Sequence, residues 1–220
     1  MSEPAGGRSP IEAVVFDMDG VLNDSEPLGL TSMQALLARY RIPHTEADNQ
    51  EFIGRTTIDS CRILRARHRL PVGEEELARQ FLDHYLAVLS ERPRPMPGVP
   101  DVPERLRARG YRLALASSAE PEVIAATLGA LGIGALFEVV ISGVEVAQGK
   151  PAPDIFLEAA RRLGVAPAAC LVVEDSRNGM LAAKAAGMRC AVIPCSTTAG
   201  QDFSEADARL GALPDLLARL

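Results

Sequence analysis

From Ala13 to Phe16 every position is apolar, and three of the four residues are β-branched or aromatic. Such a run reads as a buried strand, here Glu12 to Asp17. It stops at the turn-forming cluster Asp17-Met18-Asp19-Gly20. From Pro27 to Tyr40 the period becomes helical, with Leu30, Met33, Leu36 and Leu37 sharing a face. Two more helical patterns follow, Thr57 to His68 and Glu74 to Ser90, and no strand pattern occurs between Ser25 and Arg92. The Pro-rich stretch Arg92 to Pro103 reads as a boundary. Beyond it the spacing predicts strands at Tyr111 to Ser117, Glu138 to Ser142, Ala169 to Glu174 and Arg189 to Ile193. Helical patterns at Glu122 to Leu131, Asp154 to Leu163 and Gly179 to Ala186 separate them. That alternation predicts βαβ units and a mostly parallel sheet covered on both faces.

The expected architecture is an α/β core interrupted by a helical insertion. Residues 11–25 and 95–220 build the sheet domain, residues 26–94 form a small α-helical lobe, and residues 1–10 are a flexible tail. The lobe enters and leaves near the carboxyl end of the first strand. Open α/β sheets bind ligands at those ends, so the lobe is placed to act as a lid.

Composition narrows the function. With 47% hydrophobic residues, 220 residues can bury a substantial core. A formal net charge of -6 without a basic stripe argues against a nucleic-acid partner, which needs clustered cations. No apolar run approaches the roughly 18 residues that cross a bilayer. The first ten residues lack an apolar signal core, so the expected location is cytoplasmic, as a monomer, with no membrane partner. The cysteines, Cys61, Cys170, Cys190 and Cys195, form no close metal-type pair and read as free thiols. Of 23 basic residues only Lys150 and Lys184 are lysine, so a lysine here is an exception to a default of arginine.

Four predicted strand ends carry polar groups: Asp17 and Asp19; Ser117 and Ser118; Lys150, which follows the strand near Val140; and Glu174 with Asp175. If these strands are parallel neighbours, the groups share one crevice. Close carboxylates repel one another, and a hard divalent cation such as Mg2+ relieves that repulsion. A carboxylate left free can attack phosphorus. Residues two apart in extended chain face the same side, so Asp19 could stand beside an attacking Asp17.

These residues carry a resemblance. Asp17-Met18-Asp19-Gly20-Val21-Leu22, Ser117, Lys150-Pro151-Ala152-Pro153-Asp154 and Glu174-Asp175-Ser176 resemble, in order and spacing, the motifs of the haloacid dehalogenase-like hydrolases. The similarity is to the subgroup of β-phosphoglucomutase and its phosphatase relatives. It spans about residues 12–195. The resemblance implies a Rossmann-like sheet with a small helical cap at 26–94. It implies that Asp17 is the nucleophile and Asp19 the general acid and base. Ser117, Ser118 and Lys150 would hold phosphoryl oxygens. Asp17, Asp175 and the main-chain carbonyl of Asp19, with Glu174 directly or through water, would hold Mg2+. Asp24-Ser25-Glu26-Pro27 matches the hinge into the cap, which makes Ser25 and Glu26, with Arg55 in a cap loop, candidate substrate contacts.

The expected activity is hydrolysis of a small phosphorylated metabolite, a sugar phosphate by preference. Phosphomutases of the subgroup carry a His where this chain has Gly29, and an Arg in the cap where it has Thr57. A mutase is therefore the alternative, and a non-enzymatic phospho-acceptor module a more distant one. Ser117 and Ser118 also read as a helix N-cap, and Ser176 likewise. His44, His68 and His84 receive no chemistry, and Arg62, Arg65, Arg67 and Arg69 read as a solvated helix face.

Overall fold

The computed structural model describes residues 9–52 and 57–220, in two compact units: residues up to Asp24 with Pro95–Leu220, and Ser25–Arg94. The first unit is built on a sheet of β1 (Ala13–Phe16), β2 (Arg112–Ser117), β3 (Val139–Ser142), β4 (Cys170–Glu174), β5 (Arg189–Val192) and β6 (Ala208–Arg209). The spatial order is β3-β2-β1-β4-β5-β6, and every pairing is parallel. β1, β4 and most of β2 are buried throughout, which is why they read as unbroken apolar runs.

Helices α5 (Asp101–Ala108), α6 (Pro121–Leu131), α7 (Asp154–Leu163) and α8 (Arg177–Ala185) complete this unit. On one face of the sheet, Ala13, Val15, Ala114, Ala116 and Val172 meet Ile155, Phe156, Ala159 and Leu163 of α7 and Met180 of α8 in a single cluster. Residues at i and i+2 of a strand share a face, so Val14 and Phe16 bury on the opposite side. Phe16 meets Phe137 there edge to face, with ring centroids 6.0 Å apart.

The second unit contains α1 (Glu26–Ala38), α2 (Glu46–Asn49), α3 (Thr57–His68) and α4 (Glu74–Glu91). Met33, Leu36, Leu37, Phe52, Cys61, Leu64 and Leu77 form its own cluster. Arg62, Arg65 and Arg67 pair with Asp59, Glu74 and Glu51 within that unit, the solvated face read from the sequence.

Several features differ from the sequence reading. The Pro-rich boundary contains the start of α5, because a proline fits the first turn of a helix, where no intrahelical N–H partner is lost. On α1 the buried stripe uses Leu28 in place of Leu30. β6 and α2 are too short to carry a period. Among the described residues no helix is long and apolar enough to cross a membrane.

Candidate active site

The order β3-β2-β1-β4 sets the position of the site. The chain steps from β1 outward to β2 and β3, then returns to the far side of β1 for β4. Such a reversal opens a crevice at the carboxyl ends of the strands. Phe16 is level with Leu115 on one side and Val173 on the other, and Asp17 N donates to Val173 O at 2.9 Å. One step further along three adjacent strands therefore come Asp17, Ala116 and Glu174, with Ser117 closing β2 just beyond.

Lys150 reaches the same edge from the loop before α7. Its ammonium donates to Asp17 Oδ1 at 2.6 Å, to Glu174 Oε1 at 2.7 Å and to Ala116 O at 3.2 Å. Three N–H groups meet three acceptors. The Phe156 ring lies 5.0 Å from Nζ and supplies an apolar wall.

Glu174 is fixed by the start of α8. Its Oε2 accepts from Asp175 N and Ser176 N, both at 3.0 Å, and from Ser176 Oγ at 2.9 Å. Ser176 caps the helix as read, its Oγ accepting from Gly179 N at 3.1 Å. The positive end of α8 thus faces a carboxylate, the favourable sense for a helix dipole. Gly179 lets this happen, because a Cβ there would run into the Glu174 carboxyl group. Gly179→Ala is expected to push Glu174 off this seat and loosen Lys150. Forcing a methyl into a packed site costs about 1–3 kcal/mol. A fall in melting temperature, with weaker activity at saturating substrate, is the expected result; unchanged values would show that Glu174 has room to move.

Asp175 packs against the loop after β1. Gly20 has φ of 77°, and a Cβ on it would stand 2.5 Å from Asp175 Oδ2. Only glycine combines that backbone with so close an approach. The strand itself ends at Phe16, so the two-residue spacing of Asp17 and Asp19 belongs to a closed loop. Gly20 N donates to Asn23 O at 2.8 Å and Leu22 N to Met18 O at 2.8 Å, which corrects the extended-chain reading of that spacing.

Asp17, Glu174 and Asp175 are all buried, and each offers an oxygen within 4.8 Å of the others. Burial, against the pull of Lys150, and repulsion from Glu174, Asp175 and Asp19 hold Asp17 well above the usual carboxylate range. Burial and Glu174 push Asp175 up to about 9. Burial lowers the Lys150 pKa, but Asp17 and Glu174 outweigh it and keep the ammonium charged. With its three acids ionised the cluster would carry more negative charge than Lys150 balances, which is why Asp17 and Asp175 hold their protons without a cation, and all its donors are hard oxygens. That chemistry fits a divalent cation of the Mg2+ type.

A pH dependence follows. In an unfolded chain Asp175 titrates at ~3.9, whereas in the fold it holds its proton to about 9. Between those values the fold binds more protons than the unfolded chain, so this group's stabilisation is lost as pH rises through the interval. A cation needs the deprotonated carboxylates, so its stabilisation grows in the same direction. With EDTA, the melting temperature is expected to fall between pH 6 and 9; with Mg2+ the fall shrinks, and Asp175→Asn flattens it. A flat profile for the unsubstituted protein in EDTA would contradict the charge excess.

The structure therefore brings Asp17, Lys150, Glu174 and Asp175 together. Ser117 closes β2 beside them, buried, with Oγ accepting from Ala119 N at 3.1 Å. The N-cap of α6 is Glu120, so Ser117 and Ser118 do not cap that helix; the chain needs one more turn before it starts. Ser118 is exposed and Asp19 half-buried in the loop above β1. Ser25 and Glu26 open α1 in the other unit, where Ser25 makes no side-chain cap bond. Arg55 lies outside the described residues. Sequence reasoning missed Gly179, the Ala116 carbonyl and Cys195, whose thiol donates to Asp175 Oδ2 at 3.2 Å.

A family model, that of the haloacid dehalogenase-like hydrolases, matches residues 11–187. The protein CbbY of Rhodobacter capsulatus is 35% identical over 94% of this chain and 95% of its own length. A phosphorylated carbohydrates phosphatase of Thermotoga maritima is 34% identical over 81% of this chain and 82% of that protein. The crystal structure of a CbbY variant from Rhodobacter sphaeroides in complex with xylulose-(1,5)bisphosphate is 30% identical, with a TM-score of 0.82 over 94% of this chain and 96% of that one.

Proposed function

The chain belongs to the haloacid dehalogenase-like hydrolases, in the subgroup of β-phosphoglucomutase and its phosphatase relatives, and is a phosphatase; on that premise we propose that it hydrolyses a small sugar phosphate with Mg2+ through an aspartyl-phosphate on Asp17. The observation that carries the proposal is the convergence of Asp17, Lys150, Glu174 and Asp175 at the topological switch point of the sheet. The names of two relatives, a phosphorylated carbohydrates phosphatase and a CbbY bound to xylulose bisphosphate, support the substrate class.

In this reading an Asp17 carboxylate oxygen attacks phosphorus and the ester P–O bond breaks, while Asp19 gives a proton to the departing alcohol. Water then attacks the phosphorus of the aspartyl-phosphate, Asp19 takes its proton, and Asp17 and inorganic phosphate are released. Ser117 and Lys150 steady the phosphoryl oxygens, on which the charge spreads in the transition state. Asp17, Asp175 and the Asp19 carbonyl, with Glu174 directly or through water, would hold the cation. When bound there, such a cation would supply positive charge to offset that of the phosphoryl group and of the carboxylates around it.

The test is phosphate release from p-nitrophenyl phosphate and a panel of sugar phosphates, with Mg2+ or with EDTA. Mg2+-dependent release, strongest on a small phosphorylated carbohydrate, is the expected result. Interconversion of sugar phosphate isomers without net phosphate release would replace hydrolysis by phosphoryl transfer within the substrate.

A further inference from the structure

Asp175 is gripped by a loop that the steps above do not use. After β5 the chain passes through Cys195 to Thr198, and two side chains of this loop converge on one oxygen. The Cys195 thiol donates to Asp175 Oδ2 at 3.2 Å, and Thr198 Oγ1 donates to it at 3.5 Å. Gly20 closes the remaining side, with no room for a Cβ. Cys195 is itself held: its N–H donates to Thr198 Oγ1 at 3.0 Å, and its sulfur lies 3.1 Å from Thr197 Oγ1 and 3.3 Å from Thr198 Oγ1. Cys195 also falls beyond residues 11–187, the stretch matched by the family model.

We infer that Cys195 is a positioning residue. By occupying Oδ2 it fixes the rotation of the Asp175 carboxyl group and leaves Oδ1 for the cation shared with Asp17. The inference rests on the reading of Asp17 and Asp175 as cation ligands. A thiol is a weak donor, so its effect lies in direction more than in strength. Removing a partner that orients a ligand carboxylate lowers metal affinity by about 10–100-fold.

Mg2+ binding to the full chain is followed calorimetrically and as a Mg2+-dependent rise in melting temperature, for Cys195→Val, Cys195→Ser and the unsubstituted protein. Valine fills the space without a donor, and serine restores an O–H. Cys195→Val is expected to weaken Mg2+ binding about 10-fold or more, and Cys195→Ser to recover most of it. A packing role alone would lower the melting temperature in EDTA and leave Mg2+ affinity where it was. A second readout is chemical. Cys61, Cys170 and Cys190 are buried, and burial pushes the first two thiols up to about 11, so an alkylating reagent selects Cys195. Alkylation is expected to lower Mg2+ affinity as valine does. Equal Mg2+ affinity in Cys195→Val and the unsubstituted protein overturns the inference while leaving Asp175 a ligand. If Asp175→Asn also binds Mg2+ normally, the reading of Asp175 falls and the inference falls with it.

Discussion

Asp17→Asn is expected to abolish phosphate release without unfolding the protein. The amide keeps the size of the carboxyl group, and its oxygen can still accept from Lys150, now 2.6 Å from Oδ1. It cannot attack phosphorus. Loss of a covalent nucleophile costs on the order of 10^4–10^6 in turnover number. Stability should move the other way. Asp17 is held above its ordinary range by burial and by Glu174 and Asp175, so its ionisation opposes folding at neutral pH and above. Removing one charge from an excess of negative charge is expected to hold or raise the melting temperature, most clearly at pH 8 in EDTA. Steady-state kinetics and melting on the same sample check both halves. A variant that loses activity and stability together would point to a structural role for Asp17, and a variant that keeps its activity would remove Asp17 from the chemistry.

Lys150→Met is expected to damage both rate and fold. Methionine approximates the stem of lysine and removes all three donors. Asp17 and Glu174 then face each other in a buried site with no cation between them. Breaking a buried ion pair from one side costs about 3–5 kcal/mol. Because the stranded carboxylates can take up protons, the loss should be smaller at pH 6 than at pH 8. Mg2+ is expected to restore much of the stability, since it brings positive charge back to the cluster. It should not restore the rate, because removal of a placed donor to the reacting group costs about 10^2–10^3. Lys150→Arg is expected to fail as a rescue. The ammonium serves three separate oxygens from one point, which a planar fork cannot reproduce. Urea unfolding at two pH values, with and without Mg2+, measures the first effect and turnover measures the second.

The part of the site legible in the sequence is the part that ends strands. β1 and β4 are buried throughout, so the first acid after each apolar run had to stand at the carboxyl edge. Lys150 stood out for being one of only two lysines in a chain that otherwise uses arginine. The core of the second unit was legible in the same way, through the helical period of α1, α3 and α4. What the sequence concealed depends on side-chain directions. Gly179 reads as an ordinary helical residue until the Glu174 carboxyl group is seen lying over it. Cys195 is twenty positions from Asp175, and no period relates them; they meet because β5 lies beside β4 and the loop after it turns back over the sheet edge. α8 begins at Arg177, ahead of the expected Gly179, because Ser176 caps it. α5 hid behind prolines that usually punctuate a chain but here occupy the opening of a helix.

A crystal structure with Mg2+ and beryllofluoride, a stable mimic of a phosphoryl group on a carboxylate, tests whether Asp17 is the group that takes the phosphoryl. Beryllofluoride is expected on the Asp17 carboxyl group, with the cation touching both Asp17 and Asp175 and Lys150 beside the fluorides. An adduct on any other residue, or a cation bound away from Asp175 with Asp17 unmodified, would contradict that role for Asp17.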